Sequence, residues 1–392
     1  MSILKWTGRI VLALVIAAVA VGLWNREELA RLWAVQTLFH EDRIVHNFSA
    51  MEDAFLTRPV PRGDGPVSEL PAGPSAEMPE GYGAWLAERS ITSVVVLHRG
   101  ALVYEDYYLG TAAEDRRISW SIAKSFLSAL AGTLVADGTL DLDTQVTALV
   151  PSLVGTAYDG ARVRDVLLME SGVTFNEDYL DQSSDINRMG RIIALGGGMD
   201  AFAASLTEND TAAGETWKYT SIDTHVLGMA MRAAAGQDIA TLLSERIIAP
   251  LGLEEAPYYL TDGAQTAFVL GGLNLRSRDY ARFGQMILQG GTWEGTRVVP
   301  ADWIDASILP TAKTAPGRIG YGYQWWIPVG ATPGDEVIGR GIYGQYLYLD
   351  RSAEVVIVVT AADRQFRADG AHDQTIAMLR EITASLEADN GT

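Results

Sequence analysis

The sequence predicts an α+β fold in which strands from both termini build one antiparallel sheet, flanked by helices, with a mostly helical region inserted between them. Three observations carry this expectation. Paired apolar runs with turn signals lie near both ends of the globular part, glycine-terminated helical stretches fill the middle, and one more helical stretch closes the chain. With 392 residues, 48% hydrophobic and 20% charged, there is ample material to bury a core.

The first element is an apolar, uncharged run over residues 10–24, preceded by Lys5 and Arg9 and followed by Arg26, Glu27 and Glu28. It is shorter than the roughly 20 residues that span a bilayer comfortably. Arg9 and Arg26 can snorkel outward, and Trp6 and Trp24 suit the two interfaces. Ala18-Val19-Ala20 has the small-residue pattern of a signal-peptide cleavage site, but residues 21–24 continue the apolar run past it. Residues 1–26 are therefore expected to be an uncleaved membrane anchor, with secretion after cleavage as the alternative. The positive N-terminal flank keeps that end in the cytoplasm, so the rest of the chain is exported, on the periplasmic side in a bacterium.

Residues 27–40 read as an amphipathic helix with Leu29, Leu32, Trp33 and Leu38 apolar. Beyond it, Pro59, Pro61, Pro66, Pro71, Pro74 and Pro79 account for six of the 14 prolines, which predicts an extended linker or wrapping arm. Residues 27–74 are taken as this helix and arm, and residues 75–392 as the main domain.

The main domain opens with a short helix. Two apolar runs follow, 91–97 and 101–108, separated by His98-Arg99-Gly100 in the manner of a hairpin. Helical stretches at 122–137 and 224–235 are stopped by Gly138 and Gly236. A second hairpin joins 343–349 to 354–360 through Asp350-Arg351-Ser352, and its β-branched VVIVV run suits a central strand. A helix over 373–386 ends the pattern.

Composition excludes several functions. Lys plus Arg number 30 and Asp plus Glu 49, a net charge of −19 that repels nucleic acid and anionic lipid headgroups. Membrane contact is expected through the N-terminal segment alone. Without cysteine there is no disulfide, thiolate nucleophile or thiolate metal site. His40, His46, His98, His225 and His372 are scattered with no H-E-x-x-H, so no metal is expected. His225 reads as a packing residue. No G-x-S-x-G elbow occurs.

One constellation does carry chemistry. Ser121-Ile122-Ala123-Lys124 stands at a predicted helix start, and the spacing puts Lys124 on the face of Ser121 one turn on. A lysine amine becomes a base for a serine hydroxyl only when burial or a nearby positive charge lowers its pKa. Trp120, Ile122, Ala123, Phe126 and Leu127 make a desolvated pocket plausible. The motif is weak alone, since Ser2-Ile3-Leu4-Lys5 also matches, and an N-cap serine beside a surface lysine would look the same. A second element, Tyr219-Thr220-Ser221, precedes a helix; it is either the tyrosine of a Y-x-N-type motif that relays a proton or a tyrosine packed at a helix entrance.

The third element of such sites is K-T-G or H-x-G on a cleft strand. Here Gly339-Arg340-Gly341 is the candidate, without the lysine or histidine. Glycines there let backbone approach a substrate, and the amides of Ser121 and Ile342 are then the candidate oxyanion hole. GRGIYG also matches G-x-G-x-x-G, but a strand rather than a helix follows it, against a dinucleotide site.

From SWSIAKSF through LLMESGVTFNEDYLD, WKYTSIDTHVLG, GGLNLRSRDYARFGQMILQGG and YGYQWW to GIYGQYLYLD, the chain resembles the serine β-lactamase-like hydrolases, and among them the 6-aminohexanoate-dimer hydrolase group. The resemblance covers about residues 91–386. It implies a β-lactamase/transpeptidase-like fold and an amide or ester hydrolase without cofactor. Its substrate is a small amide, ester or short peptide. It implies Ser121 as nucleophile, Lys124 as general base and Tyr219 as proton relay, with Tyr179 closing over the substrate. Tyr343 stands where similar sequences often carry histidine. Trp325-Trp326 line the cleft wall or pack in the core. Two alternatives share these residues: a penicillin-recognising DD-peptidase or β-lactamase, disfavoured by the missing K-T-G lysine, and a non-catalytic membrane-tethered binding module.

Overall fold

In the computed structural model, which describes residues 2–388, the first helix α1 runs over Ser2–Trp24 and a second, α2, over Arg26–Thr37. The apolar stretch Trp6–Trp24 has 19 residues of mean hydropathy 2.1, and none of it is buried. This helix has the length and composition of a membrane span. α2 stops three residues short of the predicted helix end. Arg31 Nε donates to the carbonyl of Ala194 at 2.9 Å, but Leu29 and Trp33 are exposed.

The proline-rich stretch wraps. Strand β1 (Thr57–Pro59) pairs antiparallel with residues 258–260. Downstream, the Ser68 N–H donates to Gly252 O at 2.8 Å, and Leu102 N–H and Gly73 N–H bond across to Pro71 O and Leu102 O, each at 2.8 Å. These bonds, and burial, tie the arm across the expected boundary at 74/75. Ile44, Phe48, Met51 and Val60, ahead of that boundary, lie in one core with Phe126 and Leu130 beyond it. Arg117 clasps the same segment, donating to Val45 O at 2.6 Å and Ser49 Oγ at 2.8 Å.

After the short helix α3 (Tyr82–Glu88) come β2 (Ile91–His98), β3 (Ala101–Tyr107) and the two-residue β4 (Arg117–Ile118). Helix α4 spans Ala123–Ala136, entered through a 3₁₀ turn at Trp120–Ile122; α5 spans Asp185–Ala194 and α6 Ser221–Ala235, ended by Gly236 at φ 66°. Strands β5 (Tyr258–Leu260) and β6 (Leu273–Leu275) and helix α7 (Ser277–Leu288) follow. The chain then forms β7 (Gly320–Tyr321), β8 (Trp326–Ile327), β9 (Glu336–Gly341), β10 (Gln345–Asp350), β11 (Val355–Ala361) and the last helix α8 (Ala371–Ala388).

The main sheet has seven strands in the order β3-β2-β11-β10-β9-β8-β7. β2 and β11 pair antiparallel with Val95 opposite Val358 and Leu97 opposite Val356, which joins the two ends of the domain as predicted. Alternation along the strands sends Val95, Leu97, Val356 and Val358 to one face with Leu347 and Phe283, and Val94, Val96, Ile357 and Val359 to the other with Leu379 and Ile382 of α8. Both faces are thus covered, the reason the VVIVV run carries no polar residue. The middle region is not purely helical. A small sheet, β1-β5-β6-β4, crosses it. Its strands are two or three residues long, too short for a period-2 signal.

Candidate active site

Ser121 lies in the 3₁₀ turn leading into α4. Trp120, just before it, is held at φ 43°, a left-handed backbone costly for a bulky residue. One turn on, Lys124 is 1% exposed. Its Nζ stands 2.8 Å from Ser121 Oγ and donates to the carbonyl of Leu270 at 2.7 Å. Burial pushes the amine down from 10.5 to about 7, against the Glu177 carboxylate, which pulls it up.

Tyr219 leads into α6 and stands over the same pair: Lys124 Nζ is 5.3 Å from its ring centroid, and its hydroxyl interacts with Ser121. The ring stacks on Trp326 at 4.8 Å and meets Tyr321 edge-on at 6.2 Å. Burial, then Glu177, raises its phenol well above the ordinary value, so it stays protonated.

Glu177 is the residue that the sequence reading missed. Its carboxylate accepts from Tyr179 Oη at 2.6 Å, from the Ser221 N–H at 3.0 Å and from Ser221 Oγ at 2.5 Å. It sits 44 residues from Ser221, and only its place two before Tyr179 hinted at it.

At the end of β9, Gly341 lies against the nucleophile turn. A Cβ there would fall 2.7 Å from Ser119 O and 3.0 Å from Trp120 Cβ, so no larger residue lets the strand approach. Ile342 follows, and neither its N–H nor that of Ser121 donates within the protein among the described residues. Tyr343, at φ 59°, does not point to a polar cleft. It stacks on Phe39 at 4.5 Å and lies beside Phe48 and Phe366.

A cavity of about 720 Å³ opens over Ser121, lined by Glu177, Tyr179, Lys218, Tyr219, Trp326, Arg340 and Ile342 among others. Lys218 is paired with Asp210 at 2.7 Å and Arg367 with Asp178 at 2.9 Å, whereas Arg340 forms no ion pair among the described residues. The fold thus brings together Ser121, Lys124, Tyr219, Tyr179, Trp326 and Ile342. Trp325 is a correction. It is 1% exposed, stacks parallel to Phe283 at 6.4 Å and packs in the core, because the alternation that aims Trp326 at the cleft turns its neighbour inward. His225 is buried with Nε2 at 2.8 Å from Asp200, a partner that also binds Arg232, away from this cavity.

A serine turn, a buried amine and a short-approach strand on this sheet define a class, and residues 86–380 match the beta-lactamase family model. The chain belongs to that family, and with it to the hydrolases of the serine acyl-enzyme type. It is 30% identical over 317 residues to a 6-aminohexanoate-dimer hydrolase of Paenarthrobacter ureafaciens, covering 77% of this chain and 80% of the relative. Among solved structures, a Bacillus anthracis protein assigned as a 6-aminohexanoate-dimer hydrolase superposes with a TM-score of 0.78 at 23% identity, over 90% of this chain and 96% of that one. A penicillin-binding protein homologue of Pyrococcus abyssi superposes at 0.59 with 19% identity, over 76% and 75%. The last two report a shared fold.

Proposed function

We propose that this chain hydrolyses a small amide or ester through an acyl-enzyme on Ser121, with Lys124 as general base and Tyr219 as proton relay. The observation that carries the reading is the Lys124 amine: buried, depressed to about 7, and 2.8 Å from Ser121 Oγ. A neutral amine accepts the hydroxyl proton while Oγ attacks the carbonyl carbon. Developing charge on the carbonyl oxygen is met by the unspent N–H groups of Ser121 and Ile342. As the tetrahedral intermediate collapses, the proton passes from Lys124 through the Tyr219 hydroxyl to the departing amine or alcohol. Water then enters by the same route and frees the acid. The helix α1 supports attachment to a membrane, with the hydrolytic domain on the exported side.

Similarity to a protein named 6-aminohexanoate-dimer hydrolase supports a linear amide rather than a penicillin as substrate, and the absence of a lysine at Gly339 agrees. Ser121→Ala is the direct test. It abolishes turnover of p-nitrophenyl acetate and labelling by a serine-directed phosphonate; wild-type turnover in that variant would end the proposal. Acylation of Ser121 by benzylpenicillin as fast as by the ester would favour the penicillin-recognising reading instead.

A further inference from the structure

Ser121 faces two cavities of opposite character. The one described above carries charged side chains on its walls. Ser121, Tyr179 and Ile342 also line a second chamber of about 130 Å³, and no charged residue contributes to it. Leu38, Phe39, Met51 and Phe55 from the N-terminal segment line it together with Met189 and Ile193 of α5. Its one amide side chain, Asn187, is occupied: Nδ2 donates to Tyr179 O at 3.1 Å and Asp181 O at 2.8 Å.

The two spaces differ in their access to the proton relay. Tyr219 lines the charged cavity and not the apolar chamber. A leaving group that takes its proton from Tyr219 departs into the charged cavity. The remaining substituent of the acyl carbon then points to the other side of Oγ, where the walls are apolar. We infer that the apolar chamber is the acyl-binding subsite, and that the substrates are amides or esters of short aliphatic or single-ring aromatic acids. This rests on the Ser121 hydrolase reading given above. The size fits such a group, because an apolar cavity of about 150 Å³ accommodates benzene. A ring, or a chain of about four to six carbons, fills the space. Val35, Leu38, Phe39, Met51 and Phe55 precede the residues 86–380 that match the family model, so the N-terminal segment contributes to this preference.

The experiment uses the full chain in detergent with p-nitrophenyl esters from acetate to dodecanoate, plus phenylacetate. The expected kcat/KM climbs by up to about fourfold per methylene as apolar surface is buried, peaks near hexanoate and then falls. Gly190 lines the chamber, and a Cβ built on it meets nothing within 4 Å, so Gly190→Leu occupies the space without a clash at its root. In that variant the ratio of hexanoate to acetate kcat/KM drops by about tenfold or more. A flat chain-length profile in the wild type, or an unchanged ratio in Gly190→Leu, overturns the subsite while phosphonate labelling of Ser121 keeps the hydrolase reading. Loss of both labelling and turnover in the wild type ends that reading and this inference with it.

Discussion

Lys124 ties activity and stability to one proton. Its folded-state pKa of about 7 lies below the unfolded value near 10.5, so between those values the unfolded chain binds the extra proton. This group's contribution to stability therefore rises with pH across that window, and its full penalty is present below about 7. Activity has the same sign: kcat/KM rises with pH through about 7 as the amine is freed. Lys124→Met removes the buried charge. The variant is expected to be inactive and to lose the rise of stability with pH that Lys124 gives the wild type between about 7 and 10.5, read in urea melts at pH 7 and pH 9; an unchanged pH dependence would mean that the amine's pKa is not displaced. Glu177 acts on the same proton from a distance. Glu177→Gln removes the charge that pulls Lys124 up, so the rising limb moves to lower pH; a limb that stays or moves up would contradict this coupling. Tyr219→Phe should cost about 10²-fold or more on an alkyl amide, whose leaving group needs a proton, and far less on a p-nitrophenyl ester, whose leaving group does not. Equal losses on both would remove the relay role.

At the scale of elements, those named from the sequence carried a pattern of their own, whereas the longer helices α5 and α7 were not singled out. Strands β2, β3, β10 and β11 and helices α4, α6 and α8 each carry five or more residues of consistent pattern, and each was readable. Strands β4, β5 and β6 are fixed by their partners across the small sheet rather than by their own two or three residues, so nothing local announced them. The same distinction holds in the site. Ser121 and Lys124 are neighbours on one helix turn, and their spacing is visible. Glu177 reaches Ser221, and Lys124 reaches Leu270, only through the tertiary fold. Gly341 was legible as a glycine but not as a contact. Its worth lies in the 2.7 Å that a Cβ would leave to Ser119 O, which is backbone and cannot swing away. Gly341→Val should push the end of β9 off the nucleophile turn, at a cost of about 1–3 kcal/mol in stability and a loss of about 10²-fold in kcat as the Ile342 amide moves. Wild-type kcat in a folded Gly341→Val protein would show that this approach does not matter.

For the molecule as a whole, the division that matters falls after the first helix and not after the proline-rich arm. The residues of α1 beyond position 5 are exposed or half-exposed, and their apolar composition is that of a membrane span or a signal segment. From Leu38 onward the chain contributes side chains to the core. Phe48 and Met51 are 0% and 1% exposed, Arg117 is anchored on Val45 and Ser49, and β1 is an edge strand of the small sheet. Composition alone left a linker or a wrapping arm open, because prolines disfavour regular structure. They do not forbid burial or bonds made through the carbonyls, and the arm makes both. Two truncations separate these roles. Removing residues 1–25 should leave p-nitrophenyl acetate turnover and the melting temperature near those of the full chain, while the protein moves from the membrane pellet to the soluble fraction. Removing residues 1–56 also strips Phe48, Met51 and Phe55 from the core. At about 3–5 kcal/mol for each large side chain, the loss rivals the whole stability of a typical domain, so that protein should aggregate or show no cooperative melt. A soluble, cooperatively folding product from the longer truncation would restore the arm to the status of a linker, and one that unfolds on losing only residues 1–25 would make α1 part of the fold.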